Sequence, residues 1–200
     1  MFDRDILCVP IYKKPLIDSK DIIEQYKEKC DNLVEKHNEG WGYDWADFCG
    51  SWNSECLTKN ILIESELFSG LRQPILDCIQ EYIDGVGMSY EYMITLDSSW
   101  LNATGKYGFQ EYHRHLPATI SGCVYFSSPK EYGQFYVKNP FSYDLHDELN
   151  IFEERKVIDL DAGDILLFPS NLEHGVAQNP KNKNRYSLCF NLYSSSERIK

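Results

Sequence analysis

The sequence centres on QEYHRH at residues 110–115, which is followed closely by the apolar run ISGCVYF at residues 120–126. The first stretch holds His113 and His115, two of only five histidines in the chain. In an extended strand, side chains at positions i and i+2 point to the same face. We therefore expect the two imidazoles to approach one point, with their Cα atoms about 6–7 Å apart, which is the reach needed to bind one metal ion.

A third histidine follows after a long gap. His174 stands in the segment FPSNLEHGV at residues 168–176, and Arg185 and Ser187 come eleven and thirteen residues after it. A jelly roll can supply a histidine pair from one strand and a single histidine from a facing strand. Three ligands on one face of an octahedron leave three positions open, as in non-haem Fe(II) oxygenases, which usually use two histidines and one carboxylate.

Arg185 supplies a cation close to the expected metal site. A guanidinium can bind a carboxylate through two parallel hydrogen bonds, which suits it to the far end of a dicarboxylate cosubstrate such as 2-oxoglutarate. The keto-acid end of that molecule would chelate the metal. Ser187 lies on the same strand face, two residues further on, so the two side chains predict a cosubstrate clamp.

The chain changes character near residue 88. After it, short β-like runs alternate with Gly, Pro and Asn turns, which predicts an antiparallel sandwich or jelly roll. Before it, two apolar stripes predict helices, one opening at Ser19 and one from Ser65 that Pro74 should kink or interrupt. We therefore expect a mainly β fold with N-terminal α-helices packed on the outside.

Length and composition narrow the class of protein. Two hundred residues fit a single domain, with a helical support region at residues 1–87 and a catalytic core at residues 88–195. The net charge of −11 argues against binding to nucleic acid or anionic membranes. No apolar run approaches the length of a membrane span, and a signal peptide pattern is absent. The seven cysteines form no CxxC motif, which indicates reduced thiols in a cytoplasm.

Further short motifs fall into the same order along the chain. They are residues 100–102 (WLN), Gln110, residues 113–115 (HRH), residues 121–125 (SGCVY), Gly133, residues 139–140 (NP), residues 163–164 (GD), residues 168–170 (FPS), His174 and residues 185–187 (RYS). Together they resemble the 2-oxoglutarate/Fe(II)-dependent oxygenases, and within them a group of short members with an HxH…SGxxYF…FPSxLxH…RxS pattern. The resemblance covers residues 88 to 194, roughly half the chain.

The resemblance implies both a fold and a set of cofactors. The fold would be the double-stranded β-helix, a jelly roll, and the enzyme would use Fe(II), 2-oxoglutarate and O2, with ascorbate as a reductant in vitro. It also implies that His113 and His174 bind the iron. The residues that would hold 2-oxoglutarate are Arg185, Ser187, Tyr125 and Asn102.

One departure from the family pattern concerns the second ligand. The wider superfamily has HxD or HxE, whereas this chain has His115 at the second position. With three neutral imidazoles, the metal site would carry one more positive charge than a site with two histidines and one carboxylate. We expect His115 to bind the metal directly. Two alternatives stay open. In the first, His115 binds cosubstrate or substrate while water or chloride takes the third position. In the second, a carboxylate is the ligand, and Glu111, which shares the strand face of His113, is a better candidate than Glu173, which adjoins His174 and points to the opposite face.

The predicted function is that of a dioxygenase, a hydroxylase that releases succinate and CO2. The alternatives are a three-His cupin-like dioxygenase that needs no cosubstrate and a jelly-roll binding module without catalysis. The substrate would be a small molecule or a protein side chain, with Gln110 and Arg114 as candidate contacts and residues 139–155 as a candidate lid. The sequence leaves a homodimer open.

Overall fold

Eight of the ten described strands lie after residue 92. The computed structural model describes residues 9–37, 51–88, 93–139 and 154–195. The strands are β1 (Tyr12–Pro15), β2 (Ser51–Asn53), β3 (Met93–Thr104), β4 (Gln110–His113), β5 (Ile120–Tyr125), β6 (Phe135–Lys138), β7 (Arg155–Val157), β8 (Asp164–Pro169), β9 (His174–Val176) and β10 (Arg185–Ser195). The helices are α1 (Lys20–His37), α2 (Ile61–Glu64), α3 (Arg72–Val86) and α4 (Pro129–Tyr132), with 3-10 turns at Ser54–Cys56 and Glu66–Leu71.

The strands form two antiparallel sheets that face each other. The larger sheet has the order β1-β8-β5-β10-β3-β2 and the smaller one the order β4-β9-β6-β7. An apolar core fills the space between them, because Tyr125 and Phe168 of the larger sheet pack with Phe135 and Val137 of the smaller one. Two packed antiparallel sheets with this core confirm the predicted mainly β jelly roll.

Strand β10 shows how the two faces of the larger sheet differ. Tyr186, Leu188 and Phe190 belong to a second apolar core, which includes the helices. Arg185 and Ser187 occupy the alternate positions, so they lie on the face that is turned to the smaller sheet. One strand thus anchors the helical layer with one face and presents polar side chains to the interior with the other.

The helical layer packs on the outer face of the larger sheet, as predicted. Helix α1 begins after Ser19, whose hydroxyl accepts a hydrogen bond from the backbone N–H of Ile22. The rings of Tyr26, Phe68 and Phe126 stack on one another, with centroids 5.2 to 6.1 Å apart. Burial of these large rings fixes the helices against the sheet.

The second helical region is interrupted, as predicted, but the break lies just before Pro74 and the proline itself is helical. Residues Glu66–Leu71 form a 3-10 turn and the α-helix begins only at Arg72. Pro74 therefore lies in the first turn of α3, where backbone N–H groups have no partner within the helix, so the missing N–H does no harm. The helix ends at Gly87, which takes the left-handed conformation with φ of 66°.

The region before residue 88 also contributes strands. β1 pairs with β8 and β2 pairs with β3, so these two strands form the edges of the larger sheet. Residues 140–153, the greater part of the expected lid, lie outside the described residues. None of the described helices combines the length and the apolar composition that a membrane crossing requires.

Candidate metal centre

Three histidines converge between the ends of two neighbouring strands. His113 ends β4 and lies directly opposite His174, the first residue of β9. His115 lies just beyond β4, where its backbone N–H donates to the carbonyl oxygen of Ser170 at 2.9 Å. The candidate ligand atoms of the three imidazoles all lie within 4.8 Å of one another. This spacing allows all three side chains to bind one ion.

Backbone carbonyls fix the orientation of two of the rings. His113 Nδ1 lies 2.8 Å from the carbonyl oxygen of Glu111, and His174 Nδ1 lies 2.8 Å from that of Leu172. A carbonyl oxygen can only accept, so each Nδ1 carries the hydrogen and donates it. In the neutral ring the lone pair is then on Nε2, which is how metal-binding histidines are commonly held.

The environment favours neutral imidazoles. Burial lowers the pKa of His113 and lowers that of His174 to about 3. Burial, and then the nearby His113, lowers the pKa of His115 to about 4. The ring of His115 packs against Trp100 with centroids 5.6 Å apart. Neutral rings with free lone pairs are the form that binds transition metals.

No carboxylate joins the three histidines among the described residues. Glu173 points away from them and forms ion pairs with Arg114 at 2.9 Å and Lys138 at 3.5 Å, and Arg114 lowers the pKa of this carboxyl group. Glu111 is exposed, and β4 contains a register shift between Gln110 and His113. That irregularity breaks the alternation on which a shared face for Glu111 and His113 depended.

The guanidinium of Arg185 lies in the interior, where the side chain is 5% exposed. Its Nη1 donates to the carbonyl oxygens of Tyr132 at 2.9 Å and Ala177 at 3.0 Å. Burial lowers its pKa to about 10, so the group stays charged at neutral pH. No carboxylate in the described part of the chain forms an ion pair with Arg185, which leaves a buried cation that an anionic ligand could neutralise.

Gly133 makes room for this arginine. A Cβ atom at that position would lie 2.5 Å from Arg185 Nη1 and 2.3 Å from the carbonyl oxygen of Ala177. The residue also has φ of 112°, a conformation that other residues rarely adopt. Gly133 was part of the sequence pattern, and the structure shows that its lack of a side chain leaves space for the guanidinium of Arg185.

The other residues expected at the cosubstrate pocket lie beside one another across three strands. Ser187 of β10 is the register partner of Tyr125 on β5 and of Asn102 on β3. Directly opposed residues in antiparallel strands share a face, so all three lie on the face that Arg185 occupies. Burial raises the pKa of Tyr125, whose hydroxyl therefore stays protonated and can donate a hydrogen bond.

Two further residues at this place were not predicted. Cys123 and Cys189 occupy the next inward-facing positions of β5 and β10, and Asn102 Nδ2 donates to Cys189 Sγ at 3.4 Å. Strand alternation from Arg185 and Ser187 would have placed Cys189 on the same face, but seven scattered cysteines gave no signal of pairing.

The two candidate substrate contacts are less clearly placed. Gln110 opens β4 opposite Val176 and is partly buried. Arg114 is exposed and paired with Glu173, on the side away from the histidines. The structure therefore brings together the three histidines and the residues expected to hold the cosubstrate, but it does not bring Arg114 into that group.

Comparison with known protein families gives a match to the segment that holds this site. Residues 98–191, just under half of the chain, match the family described as "Putative 2OG-Fe(II) oxygenase". The matched segment includes all three histidines, Arg185 and Ser187. The resemblance predicted from the motifs is confirmed, and the match indicates an oxygenase of the 2-oxoglutarate/Fe(II) class. No curated protein sequence matches the chain at a significant level.

Solved structures share the fold. HygX from Streptomyces hygroscopicus, crystallised with nickel and 2-oxoglutarate, has a TM-score of 0.64 at 12% identity, over 92% of this chain and 82% of HygX. A prolyl hydroxylase from Trichoplax adhaerens, in complex with a peptide fragment of hypoxia inducible factor, has a TM-score of 0.63 at 14% identity, over 94% and 85%. SnoK, a "non-heme alpha ketoglutarate dependent carbocyclase" from nogalamycin biosynthesis, has a TM-score of 0.62 at 14% identity, and the match covers 92% of this chain and 79% of SnoK. The double-stranded β-helix is thereby confirmed.

Proposed function

We propose that this chain is a 2-oxoglutarate-dependent Fe(II) oxygenase that hydroxylates a small molecule or a protein side chain. The observation that carries the proposal is the pairing of two features in one interior: three imidazoles whose ligand atoms lie within 4.8 Å, and a buried arginine without a carboxylate partner among the described residues. The first feature suits a divalent transition metal and the second suits a dicarboxylate.

The residues present fit Fe(II). His113 and His174 would bind through Nε2, because the hydrogen of each Nδ1 is donated to a backbone carbonyl. His115 would be the third ligand, since no carboxylate of the described chain lies in the cluster. Bound Fe(II) would supply the activation of O2 coupled to oxidative decarboxylation of 2-oxoglutarate. The protein would orient the ligands and keep the surroundings dry, with Trp100, Phe135 and Phe168 packed against the imidazoles.

The residues present also fit 2-oxoglutarate. Arg185 would bind the distal carboxylate, with Ser187 as a second donor on the same strand face. The backbone carbonyls of Tyr132 and Ala177 hold the guanidinium in place before the ligand arrives, which reduces the ordering cost of binding. Tyr125 and Asn102, opposite Ser187, would bind the same molecule from neighbouring strands.

Substrate-independent turnover tests this proposal. The protein is incubated with Fe(II), 2-oxoglutarate, ascorbate and O2, and succinate is measured. We expect succinate from the natural protein and none above background from His174→Ala. A His37→Ala variant, altered in the last turn of α1, serves as the control and should match the natural protein. Absence of succinate, together with absence of 2-oxoglutarate binding by the metal-loaded protein, would refute the proposal.

The absence of a carboxylate ligand supports a second candidate function. A three-His cupin-like dioxygenase would bind a chelating substrate directly and need no cosubstrate, and Arg185 would then anchor that substrate. Arg185→Ala separates the two candidate functions. In a 2-oxoglutarate-dependent oxygenase it should sharply raise the concentration of 2-oxoglutarate needed for activity. In a three-His dioxygenase, activity does not depend on 2-oxoglutarate at all. If anaerobic titration finds no stoichiometric Fe(II) binding, both oxygenase functions are excluded and a non-enzymatic jelly-roll binding module is the better interpretation.

The outcome of the oxidation is proposed as hydroxylation, but relatives of this fold include a carbocyclase.

A homodimer remains a proposal. The described cysteines, which are Cys30, Cys56, Cys78, Cys123 and Cys189, are all free. Free thiols support the cytoplasm as the proposed compartment.

A further inference from the structure

Two cysteine sulfurs touch each other in the wall of the candidate cosubstrate pocket. Cys123 on β5 and Cys189 on β10 are direct partners in the antiparallel register. Their Sγ atoms lie 2.9 Å apart, and both thiols are free. Directly opposed residues in antiparallel strands have Cα atoms about 4.5–5.5 Å apart, within the range of about 4.4–6.8 Å that a disulfide bridges. A bond between the two sulfurs therefore needs no large backbone movement.

A small oxidant could reach this pair only through the interior. β5 and β10 are inner strands of the larger sheet, flanked by β8 and β3. Cys123 packs with the core between the two sheets, yet its side chain is only partly buried. The solvent that reaches Cys123 must therefore come from the space between the sheets, which is the space that Arg185 and Ser187 face.

The surroundings make the two thiols unequal. The hydrogen bond from Cys123 lowers the pKa of Cys189, and the amide of Asn102 and the guanidinium of Arg185 lower it further. The same thiol–thiol hydrogen bond, followed by burial, raises the pKa of Cys123. Cys189 is therefore the better nucleophile of the two, and Cys123 is the thiol that can resolve a product formed on it.

Cys189 also touches two residues of the candidate pocket. Its thiol donates to the hydroxyl oxygen of Ser187 at 3.8 Å, which leaves the hydroxyl hydrogen of Ser187 free to point elsewhere. The side-chain amide of Asn102 donates to Cys189 Sγ at 3.4 Å. A chemical change at this sulfur would therefore alter both neighbours.

We propose that Cys123 and Cys189 form a modification site at which a peroxide produces a cross-strand disulfide, and that this disulfide weakens binding of 2-oxoglutarate. The Cys189 thiolate attacks one oxygen of hydrogen peroxide, the O–O bond breaks, and hydroxide leaves and takes up a proton to form water. The sulfenic sulfur on Cys189 is then attacked by Cys123, whose proton leaves with the departing hydroxide as a second water. Each sulfur loses one electron and each peroxide oxygen gains one.

The effect on the cosubstrate follows from the lost thiol hydrogens. In the disulfide, Cys189 can no longer donate to Ser187, and its sulfur becomes a poorer acceptor for Asn102. Both side chains then lose the contact that orients them toward an anionic ligand. This second half of the inference rests on the proposed function, whereas formation of the disulfide does not.

Peptide mapping tests the first half on the full-length chain loaded with Ni(II), which avoids reaction of peroxide with iron. After hydrogen peroxide and then alkylation under native conditions, we expect a cross-linked peptide that contains Cys123 and Cys189 and lacks two hydrogen atoms, reversible by dithiothreitol. Cys123→Ser and, independently, Cys189→Ser should abolish it, and Cys56→Ser, at an exposed thiol, should retain it. A cross-link that appears only in urea, or oxidation of Cys56 with this pair still alkylated, would overturn the inference.

Binding of 2-oxoglutarate to the same samples tests the second half. We expect oxidation to raise the dissociation constant about tenfold or more, the size of one lost hydrogen bond to a charged ligand, and dithiothreitol to restore it. Cys189→Ser, which removes the thiol that reacts first with peroxide, should show no peroxide-dependent change. A cross-linked protein with unchanged affinity would overturn this half. If the reduced protein does not bind 2-oxoglutarate at all, the proposed function fails while the mapping result keeps its own meaning.

Discussion

His115 is the residue that sets this site apart from the usual arrangement of two histidines and one carboxylate. Unlike His113 and His174, it lies outside any strand, and its position depends on the bond from its backbone N–H to Ser170 and on contact with Trp100. As a third neutral ligand, His115 would leave the full charge of a divalent ion to attract anions. The site should therefore favour a dianionic cosubstrate more strongly than a site with a carboxylate ligand.

Replacement of His115 distinguishes a metal ligand from a pocket residue. We expect His115→Ala to weaken Ni(II) or Fe(II) binding, because one of three protein ligands is lost. His115→Asp should retain the metal but bind 2-oxoglutarate more weakly, because the new carboxylate reduces the charge of the metal site. Anaerobic calorimetric titration measures both affinities. Unchanged metal affinity in His115→Ala would show that water or chloride, not this imidazole, holds the third position.

Arg185→Lys tests whether the pocket needs the guanidinium fork or only a positive charge. Lysine keeps the charge but cannot make the two parallel hydrogen bonds, so we expect 2-oxoglutarate to bind roughly 10- to 100-fold more weakly. Metal affinity should not change. Arg155→Lys, at an exposed position on β7, is the matched control. Equal affinity in the Arg185→Lys and natural proteins would contradict a bidentate role for Arg185.

The sequence predicted which side chains of the site come together, but it did not predict the backbone groups that fix their orientation. The three histidines, Arg185 and Ser187 could be found because side-chain chemistry and spacing are written in the sequence. The carbonyls of Glu111 and Leu172, which fix the ring orientations, are backbone groups that any residue could supply. No residue pattern identifies them in advance.

Strand β4 carries an irregularity next to the candidate metal site. Between Gln110 and His113 the strand takes three steps while β9 takes two, from Val176 to His174. Such a bulge re-aims the side chains that follow it, and it ends regular pairing at His113. Sequence alternation alone predicted that Glu111 and His113 share a face and that the strand continues to His115. Bulges depend on pairing with another strand, so they could not be predicted here from local sequence.

The close packing of β5 against its neighbours gives a prediction about stability. A Cβ atom on Gly122 would lie 2.4 Å from Phe190 Cζ and 2.6 Å from Leu167 Cδ2. We expect Gly122→Ala to lower the free energy of unfolding by about 1–3 kcal/mol, the usual cost of overpacking a core. Urea denaturation measures it as a lower midpoint.

Gly85→Ala is the matched control for that substitution. Gly85 lies in α3, and a Cβ atom there would have nothing within 4 Å. Because alanine favours the helix over glycine, this change should raise stability by up to about 1 kcal/mol. If Gly122→Ala is as stable as the natural protein, the packing of β5 described above is wrong.

The whole molecule links its outer layer to its interior through β10. Tyr186 on the outer face donates a hydrogen bond to Asp31 of α1, while its neighbours Arg185 and Ser187 face the interior.

The fold class and the outer helices could be predicted, because hydrophobic periodicity records which faces are buried. The strands with which β1 and β2 pair could not be predicted, since both are short and only their pairing with β8 and β3 places them at the edges of the larger sheet.

Metal binding should stabilise the whole fold, because the three histidines come together only in the folded chain. At a free metal concentration of about 100 times the dissociation constant, we expect about 2.7 kcal/mol of stabilisation. For a chain of this size that corresponds to a rise of roughly 5–10 °C in Tm. Calorimetry with Ni(II) should show the shift in the natural protein and in His37→Ala, and no shift in His174→Ala. A shift that survives His174→Ala would mean that the ion binds elsewhere.

A crystal structure of the protein with Ni(II) and 2-oxoglutarate, grown without O2, examines the proposed site as a whole. We expect one ion bound by the imidazoles of His113, His115 and His174, with the keto-acid end of the cosubstrate on the same ion and its far carboxylate on Arg185. An ion bound without these imidazoles, or a cosubstrate whose carboxylates both lie away from Arg185, would contradict the proposed chemistry.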